Sequence, residues 1–441
     1  MSETEISIRP DGETIVAIAT APGRAALGIV RISGPLVRFV ADTICRRRLK
    51  PRQATHARFH GPDDRVLDDG IAVLFEAPRS ATGEDVLELT CHGGRGVLAS
   101  VLDAVLACGP GLRLAEAGEF TRRAFEAGKL DALQVEALAD LLAAETEAQV
   151  RQARRQLDGE LGLRVEGWRG RLIEARALIE ATLDFSDEGD VDAAAADRAK
   201  VLAQAVADEI DTVLGDAARG ERIREGLSVV IAGVPNTGKS TLLNALAGRE
   251  VALVSPLPGT TRDRIEIAME FDGVPVRLSD TAGVREAADP VEAMGVERTL
   301  SALAEADLVL SLASPTHPDR VDVPEHTSRI DVTSMADLGG SCPAGLPVSA
   351  LTGDGLGLLR AEIARRIAGL TAGEPALVAR ARQRGCLEAA LAELRAAKTA
   401  PLPELAADHV RKAADALGRL VGRVDVEDVL DRLFEGFCIG K

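Results

Sequence analysis

Short apolar runs separated by turn residues dominate the first quarter of the chain. They predict β-strands over Thr14–Ala19, Leu27–Ile32, 71–75 and 86–90. Residues 96–107 carry apolar side chains at helical spacing and predict a helix. Strands combined with a helix indicate a compact α/β domain, which we place over residues 1–125.

The apolar pattern changes to helical spacing after this domain. Leu133, Ala137 and Leu141 fall on one helical face, and residues 112–234 contain no proline. We therefore predict that residues 126–222 form the first part of a helical domain.

A buried-strand run then opens a second α/β segment at Leu227, and helical spacing returns after Pro375. Strands cannot join a helical bundle without leaving backbone groups unpaired, so we expect a separate domain over residues 223–371. This domain is inserted into the helical domain, whose second part is residues 372–441 with a terminal FCIGK tail.

Composition places the chain among soluble globular proteins of several domains. It has 441 residues, of which 46% are hydrophobic and 27% charged. We expect a cytoplasmic protein because neither a signal peptide nor a membrane-spanning run is found. The six cysteines lack metal-ligand spacing and are expected to be reduced thiols.

The net charge of −17 excludes a protein that coats nucleic acid through its overall field. Any RNA contact must use local basic stretches, and two candidates are Arg46, Arg47, Arg48, Lys50 and Arg52, and Arg151, Arg154 and Arg155. The alternative is that both stretches are ordinary solvated faces.

The strongest functional signal is GVPNTGKS at residues 233–240, which fits the phosphate-binding pattern G-x-x-x-x-G-K-S. It follows a predicted strand and precedes a predicted helix, the context that a P-loop needs. Its backbone N–H groups and helix N-terminus would face phosphates. Lys239 would contact the β- and γ-phosphates, and Ser240 would bind Mg²⁺.

Two further elements follow in the order found in GTPases. Thr261 in PLPGTTRD is predicted to bind Mg²⁺ through its hydroxyl group. In DTAG, Asp280 would hold Mg²⁺ through water and Gly283 would offer its N–H to the γ-phosphate. The three elements together predict a GTPase domain.

The base-reading motif departs from the usual N-K-x-D. Our candidate is Ser328-Arg329-Ile330-Asp331, in which Asp331 would accept hydrogen bonds from guanine. Ser349 and Ala350 fit the second loop beside the base. The predicted GTP-binding set is Asn236, Thr237, Gly238, Lys239, Ser240, Thr241, Ser255, Thr260, Thr261, Asp280, Thr281, Ala282, Gly283, Asp331, Ser349 and Ala350.

Over essentially its whole length the chain resembles the MnmE (TrmE) family of tRNA-modifying, potassium-dependent GTPases. The resemblance rests on GVPNTGKS, PGTTRD, TIVAIATAPGRAALGIVRISG (14–34), TGEDVLELTCHGG (82–94), GEFTRRAFEAGKLDALQVEALADLL (118–142), DTAGVREAADPVEAMGVERT (280–299) and FCIGK (437–441). It implies an N-terminal domain that dimerises and binds 5,10-methylene- or 5-formyl-tetrahydrofolate. The matching folate positions are Arg31, Glu88, Lys129 and Lys441.

The resemblance also implies roles within the GTPase domain and the tail. A potassium ion would be held by Asn236, Ser255, the Leu257 carbonyl and Thr260. Glu292 would position the attacking water, and Lys239 would act with it in catalysis. Cys438 would take part in the modification chemistry, and direct thiol catalysis is a hypothesis.

The function implied is installation of an aminomethyl or carboxymethylaminomethyl group at C5 of the wobble uridine in tRNA. The chain would act as a homodimer in a heterotetramer with an FAD-dependent protein of the MnmG (GidA) type. A ribosome-assembly GTPase switch is the main alternative, since such proteins share GVPNTGKS and PGTTRD. An ATPase with an accidental DTAG is a third hypothesis.

Overall fold

The structure is a computed structural model. It describes residues 12–184, 192–248, 266–280, 301–325, 327–339, 344–423, 430–431, 433–434, 436–437 and 439–440. The chain divides into two compact units, one formed by residues 1–139 and 421–441 and the other by residues 140–420. The four domains predicted from the sequence are a finer division and stay a prediction.

The first unit contains a six-stranded sheet in the order β3-β4-β5-β2-β1-β6, in which only β1 and β6 pair in parallel. Its elements are β1 Thr14–Ile18, β2 Leu27–Ser33, α1 Val37–Cys45, β3 Thr55–His60, β4 Val66–Phe75, β5 Val86–His92, α2 Arg95–Leu106, β6 Leu112–Leu114, α3 Glu119–Glu126 and α4 Ala132–Ala143. The helices α1 and α2 cover one face of the sheet and bury residues such as Val40, Val101 and Leu89.

Residues near the end of the chain complete the core of this first unit. Phe434 and Phe437 are buried against Ala132 and Val135 of α4. A Cβ atom at Gly118 would lie 2.9 Å from the Phe434 side chain, so this close approach requires glycine.

The second unit combines long helices with a second six-stranded sheet. Its elements are α5 Glu147–Leu157, α6 Glu160–Asp184, α7 Asp192–Gly215, α8 Ala217–Glu225, β7 Leu227–Gly233, α9 Lys239–Ala247, β8 Glu266–Phe271, β9 Val274–Asp280, β10 Leu308–Ala313, β11 Ser328–Thr333, a 3-10 turn Ala336–Leu338, β12 Leu346–Pro347, α10 Leu356–Thr371, α11 Ala381–Thr399 and α12 Pro403–Val421.

This sheet has the order β12-β11-β10-β7-β9-β8 and is parallel except for the β8–β9 hairpin. Its central strands β7 and β10 are almost wholly buried, as expected for parallel strands covered on both faces. The carboxyl ends of β7, β9, β10 and β11 meet at one edge of the sheet, where ligands bind in open α/β folds.

The chain's single tryptophan, Trp168, is buried where α6 packs on α7. Its Nε1–H donates a 2.7 Å hydrogen bond to Oε2 of Glu209. Hydrogen bonds donated by Arg171 and by Trp168 lower the pKa of Glu209 to about 2. The indole is therefore fixed within the helical part of this unit.

The predicted combination of α/β and all-α parts is confirmed, as are the predicted strands within β1, β2, β4 and β5. Strand β3 was missed because its sequence THARFH offers only one large apolar inward side chain, Phe59, beside the small Ala57. No helix in the described ranges is both long and apolar enough to cross a membrane.

Candidate functional site

The loop between β7 and α9 has the backbone geometry of a phosphate cradle. Asn236 and Gly238 adopt positive φ angles of 62° and 83°. A Cβ atom at Gly233 would lie 2.9 Å from the carbonyl oxygen of Leu312, so only glycine fits there. The chain can therefore turn tightly and aim the α9 N-terminus at a bound anion.

Lys239 closes this loop from within. Its side chain is buried, and Nζ donates hydrogen bonds to the carbonyl oxygens of Gly233 at 2.9 Å and Val234 at 3.1 Å. Thr237 is also buried, and its hydroxyl donates to Val234 at 2.8 Å. The ammonium group thus lies inside the cradle where phosphate oxygens would be expected.

Ser240 and Asp280, both predicted near Mg²⁺, meet in the structure. The Ser240 hydroxyl donates a 2.7 Å hydrogen bond to Oδ2 of Asp280. Asp280 ends β9 and is only 4% exposed. A hydroxyl and a carboxylate beside a phosphate cradle are oxygen donors of the kind that Mg²⁺ prefers.

Several predicted residues lie outside the described part of the chain. These are Ser255, Leu257, Thr260, Thr261, Thr281, Ala282, Gly283, Glu292, Cys438 and Lys441. Thr241 is described and is exposed on the first turn of α9.

The structure does not support Asp331 as the base-reading residue. Asp331 lies inside β11, paired in register with Ser311 of β10, and not in a loop after the strand. Its Oδ1 is 3.1 Å from Nε of Arg329 and 3.7 Å from an Arg320 nitrogen. These contacts correct the sequence assignment, because the carboxylate is engaged by Arg329 of the same strand and by Arg320 of the connection before it.

The segment that contacts the P-loop is Ser334–Asp337, directly after β11. The Ser334 hydroxyl is buried, 2.5 Å from the Thr237 carbonyl oxygen and 3.1 Å from that of Ala313. Met335 has a φ of 55°, and its Cε would lie 3.3 Å from a Cβ atom at Gly238. Asp337 follows on an exposed 3-10 turn.

This segment has the spacing of N-K-x-D, with serine and methionine in the first two positions. Sequence reasoning missed it because Ser328–Asp331 and Ser334–Asp337 both read Ser-x-x-Asp. The distinguishing signal was the end of β11, since a loop residue can reach a base but a mid-strand residue faces a sheet neighbour.

The second predicted base-side loop lies beside this segment. The Ala336 N–H donates to the Val348 carbonyl oxygen at 3.2 Å, which brings Ser349 and Ala350 next to the 3-10 turn. Ser349 is buried and accepts a hydrogen bond from the Thr352 N–H.

The first unit holds a separate candidate site. Arg31 on β2 and Glu88 on β5 are cross-strand partners, and Arg31 donates to Oε1 of Glu88 at 2.8–3.0 Å. The Arg31 guanidinium also donates to the Gly440 carbonyl oxygen at 3.2 Å. Two predicted folate positions, Arg31 and Glu88, are therefore brought together with Gly440, while the predicted Lys441 lies outside the described residues.

Glu88 and Lys129 line a cavity of about 430 Å³ in this unit. Its other lining residues are Arg52, Phe75, Arg79, Ser80, Ala81 and Val86. Lys129 Nζ donates to the Pro78 carbonyl oxygen at 2.9 Å. The buried hydroxyl of Ser80 has no hydrogen-bond partner among the described residues, so the cavity offers it to a polar ligand.

The basic stretches considered for RNA binding are largely occupied by carboxylates. Arg46 contacts Asp64, Arg151 contacts Glu147, Arg154 contacts Asp158 and Arg155 contacts Glu160. These pairs favour solvated faces for those arginines, whereas Arg48 and Lys50 are exposed.

Comparison with known proteins gives two family matches that cover most of the chain. The family described as MnmE helical domain matches residues 133–438, and the GTP-binding protein TrmE N-terminus matches residues 14–129.

Full-length relatives are also similar. The "tRNA modification GTPase MnmE" of Azorhizobium caulinodans is 48% identical, covering 97% of this chain and 99% of the relative. The protein of the same name from Methylobacterium radiotolerans is 49% identical over the same shares. A crystal structure of Era with MgGDPNP and a 16S ribosomal RNA segment is 27% identical, covers 38% of this chain and 66% of that one, and has a TM-score of 0.27.

Replacing Asp337 by Asn should weaken GTP binding about 10- to 100-fold, because a charged acceptor beside the base is lost. Replacing Asp331 by Asn should leave the affinity within about twofold, since that carboxylate contacts Arg329 and Arg320. Fluorescent GTP titration of both full-length variants measures this. A larger loss for Asp331→Asn than for Asp337→Asn would restore the original assignment.

Proposed function

The chain belongs to the MnmE family of tRNA modification GTPases, and we propose that it couples GTP hydrolysis to modification of the wobble uridine of tRNA. The observation that carries the GTP-hydrolysing part of this proposal is the Ser240–Asp280 contact beneath a P-loop that Lys239 closes, and the tRNA-modifying part rests on the family. These groups supply the hydroxyl, carboxylate and ammonium that a magnesium-bound triphosphate requires.

The described residues of the nucleotide site would each make a different contact with the bound nucleotide or with Mg²⁺. Backbone N–H groups of the loop and α9 would surround the phosphates, while Lys239 would exchange its carbonyl partners for phosphate oxygens. Ser240 would bind Mg²⁺, and Asp280 would orient water bound to it. Asp337 would accept from the guanine edge and Met335 would cover its face.

A potassium ion fits the exposed side of the loop. Asn236 is exposed and held at positive φ, which leaves its amide oxygen free to turn towards the phosphates. Ser255, the Leu257 carbonyl and Thr260 would complete the coordination. A monovalent cation there offsets negative charge that develops during phosphoryl transfer, and Glu292 would position the attacking water.

The cavity of the first unit fits a tetrahydrofolate. Its volume lies in the range of small-molecule sites, about 300–1,000 Å³. Glu88 could accept from the donors of a pterin ring, and the cations Arg52, Arg79 and Lys129 suit a glutamate carboxylate. Arg31 would hold Glu88 in place, and Lys441 would add a further cation. The bound folate would supply the one-carbon unit.

The whole reaction needs partners. We propose a homodimer that joins an FAD-dependent MnmG-type protein in a heterotetramer and acts on tRNA in the cytoplasm. The product would be an aminomethyl or carboxymethylaminomethyl group at C5 of the wobble uridine. Cys438 in the tail would take part in the modification chemistry.

GTP hydrolysis should be at least about tenfold faster in potassium than in sodium at matched ionic strength, because the ion stabilises transition-state charge. Replacing Asn236 by Ala should remove most of this activation, while Asn244→Ala, at an exposed asparagine further along α9, keeps it. Phosphate release by the purified chain measures both. Equal, slow rates in both salts would contradict the potassium site.

In a strain deleted for this gene, the wild-type chain should restore the modified wobble uridine, and Asp280→Asn should not. The physical reason is that the variant loses a magnesium-orienting charge. Mass spectrometry of tRNA nucleosides provides the measurement. Unchanged modification in the deletion strain itself would favour the ribosome-assembly alternative.

Replacing Glu88 by Gln should weaken binding of 5-formyl-tetrahydrofolate at least about tenfold. The reason is that a neutral amide replaces a carboxylate, and it accepts hydrogen bonds from the pterin ring less strongly. Glu76→Gln is the matched control, since Glu76 is exposed and pairs with Arg38 outside the cavity. Calorimetric titration compares the two. Equal affinities would place the folate elsewhere.

A further inference from the structure

The two connections that join the sheet-bearing part of the second unit to its helices lie side by side. The first is α8, which leads into β7, and the second is the segment 372–380 after α10. A Cβ atom at Gly220 would lie 1.9 Å from the Val378 carbonyl oxygen, so the connections touch and require glycine there. Arg219 of α8 also donates to the carbonyl oxygens of Ala372 and Glu374.

One face of α5 binds both connections through a row of glutamines. The side-chain N–H groups donate to backbone carbonyl oxygens in each case: Gln149 to Arg224 at 3.0 Å, Gln152 to Gly220 at 2.8 Å and Gln156 to Leu377 at 2.9 Å. Spacings of three and four residues place these side chains on one side of the helix. Gln152 and Gln156 are buried.

A single carboxylate joins the same two connections. Asp140 accepts from Nε of Arg224 at 2.9 Å and from two nitrogens of Arg380 at 2.6 and 3.1 Å. Arg224 belongs to the entering connection and Arg380 to the leaving one. We name this set of residues, Asp140, Gln149, Gln152, Gln156, Arg224 and Arg380, the neck.

The strands that carry the nucleotide site begin at the neck. β7 starts at Leu227, just after α8, and ends at the P-loop. The Ala148 N–H of α5 donates to the carbonyl oxygen of Gly273, which directly precedes β9, and β9 ends at Asp280. A displacement of either strand along its axis would therefore reach α5.

The neck also contains unused acceptors. The Oε1 atoms of Gln152 and Gln156 are buried without a hydrogen-bond partner among the described residues. Both glutamines line a cavity of about 90 Å³ together with Asp140 and Arg224. A guanidinium group that leaves Asp140 would therefore find a second set of acceptor oxygens on residues that line the same cavity, as a two-state coupling element requires.

We propose that the neck transmits the nucleotide state of the GTPase domain to the helical domain, with Asp140 as the positioning residue that holds both connections together. The inference rests on the proposed GTPase function but concerns residues outside the nucleotide site. Its failure can be recognised separately because nucleotide binding, hydrolysis and transmission are measured independently.

The fluorescence of Trp168 can be used to follow the conformation of the helical domain. As the single tryptophan of the chain, buried and hydrogen-bonded to Glu209, it should change its emission between the GDP-bound and GDPNP-bound full-length protein. In Asp140→Asn, GTP hydrolysis should stay within about twofold of wild type. The emission change and tRNA modification should each fall at least about fivefold, the size of a lost coupling between sites.

Three further variants distinguish coupling from general damage. Asp140→Glu keeps the carboxylate and should retain most of the emission change. Gln152→Met removes the side-chain amide that binds the Gly220 carbonyl oxygen. It should reduce the emission change and tRNA modification as Asp140→Asn does, and it provides the test if Asp140→Asn fails to fold. Asp158→Asn, an exposed carboxylate at the end of α5 paired with Arg154, should behave as wild type.

Two outcomes would overturn the proposal directly: a wild-type emission that is identical with both nucleotides, or a folded Asp140→Asn that transmits and modifies normally. Equal losses of hydrolysis and modification in that variant would also overturn it, since the nucleotide site itself would then be damaged. A wild-type chain that hydrolyses GTP without modifying tRNA would refute the proposed function, while the Trp168 comparison would still decide the role of the neck.

Discussion

The parallel pairing of β7 with β9 and β10 is the constraint on which both the nucleotide site and the neck depend. In this register Ile231 lies opposite Asp280, and Gly233 opposite Leu312. Because parallel strands end at a common edge, the ladder alone brings the P-loop next to Asp280, the carboxylate proposed to orient Mg²⁺. The opposite edge, where the same strands begin, faces α5. The proposed ligand-binding residues therefore lie at the carboxyl ends of these strands, and the contacts with α5 lie at their amino ends.

The sequence predicted the P-loop well because its geometry is local. A strand, two glycines, a lysine and a helix start are contiguous, and glycine adopts the φ of 83° at residue 238 without steric cost. The segment proposed to contact the base, Ser334–Asp337, cannot be identified from local sequence in this way. Two Ser-x-x-Asp sequences lie six residues apart, and the choice depends on where β11 ends and which serine reaches Thr237. Neither fact follows from spacing, so the first candidate was wrong.

The cavity of the first unit shows a different limit. Arg31 and Glu88 are 57 residues apart and meet only through the antiparallel register of β2 and β5. Taken from the sequence alone, each is an ordinary charged residue, and the family resemblance was needed to connect them. Arg79 and Ser80 were not singled out at all, because a buried hydroxyl without a partner becomes visible only when its neighbours are placed.

The contact between Arg31 and Gly440 also orders events during synthesis. These residues are 409 positions apart, and residues 140–420, which form the other unit, are translated between them. A chain emerging from the ribosome can pair β2 with β5 early, but Phe434, Phe437 and Gly440 reach their places only after the second unit has been made. The domain that begins first is therefore completed last, and nascent chains spend most of translation without the Phe434 and Phe437 part of its core and without the Gly440 contact to Arg31.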